Sequence, residues 1–73
     1  MNRIYKYALS QLSVEEQTLL KTAQKSWLTF RDNHCKVYGK MYHGSPGMVM
    51  MLAVCRKELT LHRIEELKVL SER

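Results

Sequence analysis

Two cysteines and the turn signal halfway between them limit the possible folds of this chain more than any other feature. Cys35 and Cys55 each lie ten residues from Ser45, inside a run of turn-forming residues, Gly-Ser-Pro-Gly. If two helices double back at this turn, the cysteines meet across the line of contact between them. A disulfide closing a loop of about 20 residues would contribute roughly 3 kcal/mol to stability. Two buried thiols in a reducing compartment are the alternative that the spacing leaves open.

The length and the charge of the chain exclude some classes of function. At 73 residues the chain is expected to form one domain, 1–73. Its hydrophobic core would be so small that a disulfide would add needed stability. Its 12 Lys and Arg outnumber 7 Asp and Glu, but they are dispersed, as on a solvated surface. Lys21, Lys25 and Lys36 lie roughly on one outer side of the helix before the turn. We still expect no nucleic-acid partner, because the two helices that meet at the turn are expected to be antiparallel and not crossed at the angle of a DNA-reading motif. No stretch is apolar enough for a transmembrane segment, and no signal segment opens the sequence.

Helix start and stop signals predict an all-α fold with three helices. Asn2 is the expected N-cap of a short first helix. Ser13 and Glu16 form a capping box at the start of a long second helix. This helix is expected to run to about Tyr42, although Gly39 could end it early.

The third helix is expected to begin at the turn, with Ser45 as its N-cap and Pro46 in the first helical position, and to reach Ser71. Residues at helical spacing mark one face of each helix. In chain order these are Tyr5, Ala8, Leu9 and Leu12; Leu20, Ala23, Trp27, Phe30 or Arg31, His34 and Tyr38; and Met48, Leu52, Cys55, Leu59, Arg63, Leu67 and Leu70.

The turn also predicts the register of the two long helices. Partners should have residue numbers that sum to about 90, as the two cysteines do. This sets Leu20 opposite Leu70 and Trp27 opposite Arg63. An arginine on an apolar stripe needs a partner, and stacking on the indole ring supplies one worth roughly 0.5–2 kcal/mol. We therefore predict a structural network of polar and aromatic side chains in the interior, formed by Gln24, Trp27, Arg31, Asp32 and Arg63.

The spacing of the polar residues gives no support to catalysis. Adjacent glutamates on a helix point about 100° apart, so Glu15–Glu16 and Glu65–Glu66 are not expected to form acid–base pairs. His34 and Cys35 fail as a nucleophilic pair for the same reason. The cysteines and histidines are too widely spaced for zinc, while Met48, Met50 and Met51 leave Cu(I) binding as a minor alternative. We expect no enzyme, no metal site and no cofactor.

One pattern runs through nearly the whole chain. In order, it comprises Asn2-x-x-Tyr5, Leu19-Leu20-x-x-Ala23-Gln24-x-x-Trp27-x-x-Phe30-Arg31-Asp32-x-x-Cys35, the Gly44-Ser45 turn, Cys55, Leu59-Thr60-x-x-Arg63 and Leu67. This pattern resembles the LprI-like domain family, small helical modules of bacterial secreted, periplasmic or lipoprotein chains named after a lysozyme-inhibiting lipoprotein. The resemblance implies a Cys35–Cys55 disulfide. The expected fold is then a short N-terminal helix followed by a long antiparallel helical hairpin stapled by one disulfide.

The resemblance further implies a periplasmic or secreted protein, whose signal peptide is absent from this chain, and a protein partner such as lysozyme. Inhibition would be steric and would need a protruding segment. The cleft of a muramidase holds two carboxyl groups, which a cationic or hydrogen-bonding tip would suit. The candidate binding loop consists of Lys40, His43, Gly44, Ser45 and Pro46.

The net charge of the chain favours a partner other than lysozyme. Common lysozymes are basic, and a chain of net charge +5 would be repelled by them at long range. Contact would then depend more on acidic groups, namely Asp32, Glu58, Glu65 or Glu66. A cell-envelope accessory module that binds another protein or an anionic component, without inhibiting lysozyme, is the alternative function. An intracellular hairpin that dimerises or binds RNA is a third, and free thiols would distinguish it.

Overall fold

A computed structural model describes residues 1–72, and every regular element in that range is a helix. Helix α1 spans Asn2–Ser10, α2 spans Val14–Met41 and α3 spans Met48–Leu70. Helices α2 and α3 pack as the hairpin predicted from the sequence. Helix α2 continues through Gly39 and ends one residue before Tyr42, close to its predicted end. The molecule is a rod that measures 47 × 17 × 14 Å along its principal axes.

The predicted capping box at the start of α2 is confirmed. The Ser13 hydroxyl accepts a hydrogen bond from the Glu16 N–H at 3.2 Å, and the Glu16 carboxylate accepts one from the Ser13 N–H at 2.8 Å. These bonds satisfy N–H groups that have no partner within the helix. The Gln17 amide donates to the carbonyls of Leu9 and Leu12 at 3.0 and 3.1 Å. These two hydrogen bonds therefore connect the beginning of α2 to the end of α1.

The predicted start of α1 is wrong by one residue. Met1, rather than Asn2, is the N-cap. The reason is that the Met1 carbonyl already accepts a hydrogen bond from the Tyr5 N–H at 3.1 Å, which opens the helix at Asn2. Leu12, expected on the apolar face of this helix, lies after its last residue, Ser10, and still packs against the core.

The predicted start of α3 is also wrong, because the loop before it is longer than expected. Pro46 lies in the loop, and the helix begins at Met48 with Gly47 as its N-cap. The Ser45 hydroxyl accepts a hydrogen bond from the Gly47 N–H at 3.0 Å, so it stabilises the turn instead of capping the helix. Gly44 has a φ of +79°, in the left-handed region that glycine adopts without strain.

The hydrophobic core lies at the end of the rod where α1 packs. Ala8, Leu20 and Leu67 are buried there, one from each helix. Partly buried side chains surround them, namely Met1, Ile4, Tyr5, Leu9 and Leu12. Along residues 1–72, none of the helices has the length and apolar character that crossing a bilayer requires.

Candidate functional site

A disulfide joins the two long helices between the core and the loop. It links Cys35 of α2 to Cys55 of α3, whose Cα atoms are 5.6 Å apart. Both cysteines are buried, with 1% and 7% of their surface exposed. The disulfide implied by the family resemblance is thus confirmed, and it accounts for both cysteines of the chain.

The contacts on the core side of the disulfide follow the predicted register. Leu20 and Leu70 line the same groove. The Arg63 guanidinium carbon lies 5.9 Å from the centroid of the Trp27 ring. Arg31, rather than Phe30, takes the inward place on the predicted apolar face of α2, since Phe30 is 53% exposed and Arg31 is half-buried. Ala23 and His34, placed on the same stripe by their spacing, are exposed.

Arg63 connects the two long helices through several contacts. Its Nε donates to the Gln24 side-chain oxygen at 3.0 Å, and its Nη1 donates to the Glu66 carboxylate at 3.1 Å. Its Nη2 is buried, with no hydrogen-bond partner among the described residues. Gln24 is itself buried, and its amide nitrogen also donates to the Met1 sulfur at 3.5 Å. A polar side chain of α2 thus anchors an arginine of α3.

The indole ring of Trp27 lies near two arginines. The guanidinium carbon of Arg31 is 5.3 Å from the ring centroid, on the same ring that Arg63 approaches. Arg31 in turn pairs with the carboxylate of its neighbour Asp32 at 3.2 Å. The structure therefore brings the five residues of the predicted network together, with Asp32 joined through Arg31. That their role is structural rather than functional stays a prediction.

The candidate binding loop lies at the end of the rod opposite the core. Lys40 is in the last turn of α2, and its side chain is exposed, as are those of His43, Ser45 and Pro46. Backbone hydrogen bonds hold the loop in a compact shape, among them Ser45 N–H to the Tyr42 carbonyl at 2.9 Å. The loop is thus an exposed but internally bonded turn. Its role in binding stays a prediction.

A groove of about 490 Å³ between α1 and α2 carries a basic rim, of which the sequence indicated only the two lysines of α2. Lys6 of α1 faces it together with Lys21 and Lys25 of α2. Its remaining lining residues are Tyr5, Leu9, Gln24 and Leu28, so no acidic side chain borders it. The spacing of Lys21 and Lys25, one helical turn apart, indicates that they share one face of α2. The position of Lys6 depends on how α1 packs and could not be predicted in this way.

The acidic residues of α3 border a second groove, on the outer surface of that helix. Glu58, Glu65 and Glu66 line it together with Leu61, and its volume is about 640 Å³. Two of the three carboxylates already have intrahelical partners. Glu65 pairs with Lys68 at 3.2 Å and Glu66 with Arg63 at 3.1 Å. Asp32, the fourth acidic candidate, is not among the residues that line this groove.

Within residues 1–72, no three His, Cys, Asp or Glu side chains come together in a way that could hold a metal ion.

Comparison with known proteins adds two findings. The family model of lysozyme inhibitor LprI matches residues 1–67. An uncharacterized protein of Rhizobium meliloti (strain 1021) is 40% identical over 53 residues, which cover 73% of this chain and 38% of that protein. The chain therefore corresponds to less than half of this relative. No solved structure matches it.

Proposed function

The chain belongs to the lysozyme inhibitor LprI family, and we propose that it is an extracytoplasmic binding module that inhibits lysozyme by steric contact. The observation that carries this proposal is the family match over residues 1–67, which contains the whole loop and both cysteines. The disulfide supports a periplasmic or secreted location, because such bonds persist in oxidising compartments. The chain would act as a binding partner and not as an enzyme.

The loop at the end of the rod is the proposed contact element. It is exposed, and the nearby disulfide lies about 9 Å along α2 from the helix end, at a rise of 1.5 Å per residue. A loop held in this way loses little conformational freedom on binding, which favours affinity. Lys40 and His43 would supply cationic or hydrogen-bonding groups to the two catalytic carboxyls of a muramidase cleft.

Long-range charge opposes this contact and gives the proposal a distinctive signature. Common lysozymes are basic, and the chain has a net charge of +5, so the two proteins repel each other before they meet. Salt screens this repulsion, with a Debye length of about 8 Å at physiological ionic strength. Inhibition should therefore strengthen as the salt concentration rises. Acidic groups on α3, such as Glu58, would offset part of the repulsion.

The test is the clearing of bacterial cell-wall suspensions by lysozyme, followed with and without the oxidised protein at low and high salt. We expect dose-dependent inhibition that increases with salt and is weaker in a reduced sample. A variant with Lys40→Ser and His43→Ser should inhibit at least tenfold less. Lys57→Ser, which removes an exposed lysine of α3 outside the loop, is the matched control and should behave as wild type. An absence of inhibition at large molar excess would refute the proposal.

One observation favours the alternative, a cell-envelope accessory module with an anionic partner. The groove between α1 and α2 combines an apolar floor with Lys6, Lys21 and Lys25 at its rim. Such a site suits an acidic chain with some apolar character, and it fits the net charge. NMR titration with poly-glutamate should then shift the signals around this groove, and Lys21→Gln with Lys25→Gln should abolish the shifts. Shifts spread evenly over the surface would count against this candidate.

A further inference from the structure

Helix α2 carries an exposed apolar stripe on its surface. We define the α2 stripe as Leu19, Ala23, Phe30, His34, Val37 and Met41. Its members are spaced by three, four or seven residues, which places them on one face of a helix. The rings of Phe30 and His34 are neighbours, with centroids 5.4 Å apart. Leu19, Phe30, Val37 and Met41 are each more than half exposed.

The α2 stripe faces away from α1. The side chains of α2 that share a groove with α1 are Lys21, Gln24, Lys25 and Leu28, and none of them belongs to the stripe. From Leu19 to Met41 the stripe extends about 33 Å along the helix at 1.5 Å per residue. It thus follows most of the length of the rod on the side that has no third helix.

Two largely apolar grooves adjoin the α2 stripe, and each is also lined by one glutamate, Glu16 in the first and Glu58 in the second. Leu19 and Ala23 line a groove of about 280 Å³ together with Leu70 of α3. His34 lines another of about 230 Å³, together with Val54 of α3. Both grooves lie between α2 and α3, so the uncovered face includes side chains of both long helices. A surface with such hollows can accept protruding side chains from a partner.

The exposed area of the chain is larger than that of a compact protein of its mass. The accessible surface is 5562 Å² for 8.6 kDa. A compact monomer of this mass exposes roughly 4,700 Å². The excess of about 900 Å² is close to the ~800 Å² that each partner buries in a stable interface of standard size.

We propose that the α2 stripe is the interface of a homodimer, in which two hairpins pack as a four-helix bundle. A second copy is the partner that fits, because the stripe contains no Lys, Arg, Asp or Glu although the chain has a net charge of +5. The glutamates of the adjoining grooves lie outside the stripe, so two copies can meet along the stripe itself without bringing like charges opposite each other. Phe30 and Val37 lie seven residues apart, as do His34 and Met41, which is the spacing of residues in packed helix pairs.

The homodimer is independent of the proposed lysozyme contact. A symmetric interface uses the same patch on both subunits. The groove between α1 and α2 and the loop residues from His43 onwards lie outside this patch, which ends at Met41 beside Lys40, and they would remain accessible in the dimer. Failure of the lysozyme assay would therefore leave the dimer untouched, and the converse also holds.

Sedimentation equilibrium of the oxidised protein, from micromolar to millimolar concentration, tests the proposal. We expect the mass to rise from 8.6 kDa to about twice that value. Val37→Glu and, separately, Phe30→Glu should weaken association at least about 100-fold, because each would bury an unpaired charge in the interface. Val49→Glu is the matched control, since Val49 is 73% exposed and lies on α3 outside the stripe.

Circular dichroism and thermal unfolding of each variant at low concentration must show an intact fold, so that lost association is not confused with unfolding. A second readout is amide hydrogen exchange, which should slow along residues 30–41 as the wild-type concentration rises. A wild-type protein that stays monomeric at millimolar concentration would overturn the proposal. Equal weakening by Val49→Glu and Val37→Glu would overturn it as well.

Discussion

The two ends of the rod hold the same pair of helices together by different means. At the α1 end, residues 1–30 and 60–72, three helices enclose Ala8, Leu20 and Leu67. At the loop end, residues 31–59, α2 and α3 have no third helix beside them, and the buried residues are the cysteines of the disulfide. A covalent bond thus occurs where the helices bury little apolar surface.

This difference follows from the geometry of helix packing. Two helices in contact bury only one stripe each, and a third is needed to close a core around them. Apolar side chains at the loop end accordingly remain outside, and Met41 and Met50 are each 68% exposed. In a chain of this size, hydrophobic burial therefore stabilises one end, while the disulfide limits unfolding of the other.

Replacing both cysteines, Cys35→Ser with Cys55→Ser, tests the loop end and should have the largest effect. We expect the free energy of unfolding to fall by about 3–4 kcal/mol. This corresponds to a decrease of roughly 12–30 °C in the melting temperature, measured by circular dichroism. Amide hydrogen exchange should accelerate first at the loop end. Equal acceleration in the first turns of α2 would show that the two ends are not held separately.

Leu67→Ala tests the α1 end. Leu67 is fully buried, so the truncation removes apolar contacts and leaves a cavity, and we expect a loss of about 2–3 kcal/mol. Chemical denaturation of the oxidised protein measures it. Val69→Ala is the control, since Val69 is 68% exposed and its truncation should change stability by less than about 0.5 kcal/mol. Similar losses from both variants would mean that this core contributes little.

Substitutions of Gln24 and Arg63 test the hydrogen bond that joins α2 to α3 beside the core. Gln24→Met should cost about 1–2 kcal/mol, because it removes the acceptor of the partly buried Arg63 Nε. Arg63→Met should also destabilise, since it leaves the Gln24 oxygen without its donor. The double variant should lose less than the sum of the two single losses, as expected for partners in one contact. If the losses of unfolding free energy in this double-mutant cycle, measured by thermal unfolding, are additive, they would contradict a direct interaction between the two side chains.

Ser13→Ala should have the smallest effect, and it tests how firmly α2 is fixed at the α1 end. Removal of the hydroxyl leaves the Glu16 N–H without its side-chain acceptor, which costs about 1 kcal/mol. Ser26→Ala, at an exposed position inside α2, is the control and should be neutral or slightly stabilising, because alanine has the higher helix propensity. Thermal unfolding of both variants gives the comparison.

The features that were predictable from the sequence depend on local spacing or on symmetry about the turn. The capping box needs only Ser13 and Glu16, three residues apart. The register follows from the position of the turn, and it correctly places Arg63 beside Trp27. The disulfide needed more than spacing, because two cysteines that meet can also remain thiols, and the family resemblance implied the bond.

Two features were not predicted from the sequence. The first depends on which of two nearby N–H groups a side chain binds. The Ser45 hydroxyl could cap either the helix or the turn, and in the structure it accepts from the Gly47 N–H within the turn. The lysine-rimmed groove was missed for another reason. It joins α1 to α2, and the direction in which a nine-residue helix packs is not contained in its own periodicity. Lys6 could not be placed beside Lys21 without the structure.

The position of the disulfide also determines what proteolysis would produce. Residues 42–47 are the connection between α2 and α3, and this segment lies between Cys35 and Cys55 in the chain. A protease that cuts one peptide bond there would leave the two halves covalently joined. The cut protein would keep its mass, apart from one added water, and would separate into two fragments only after reduction.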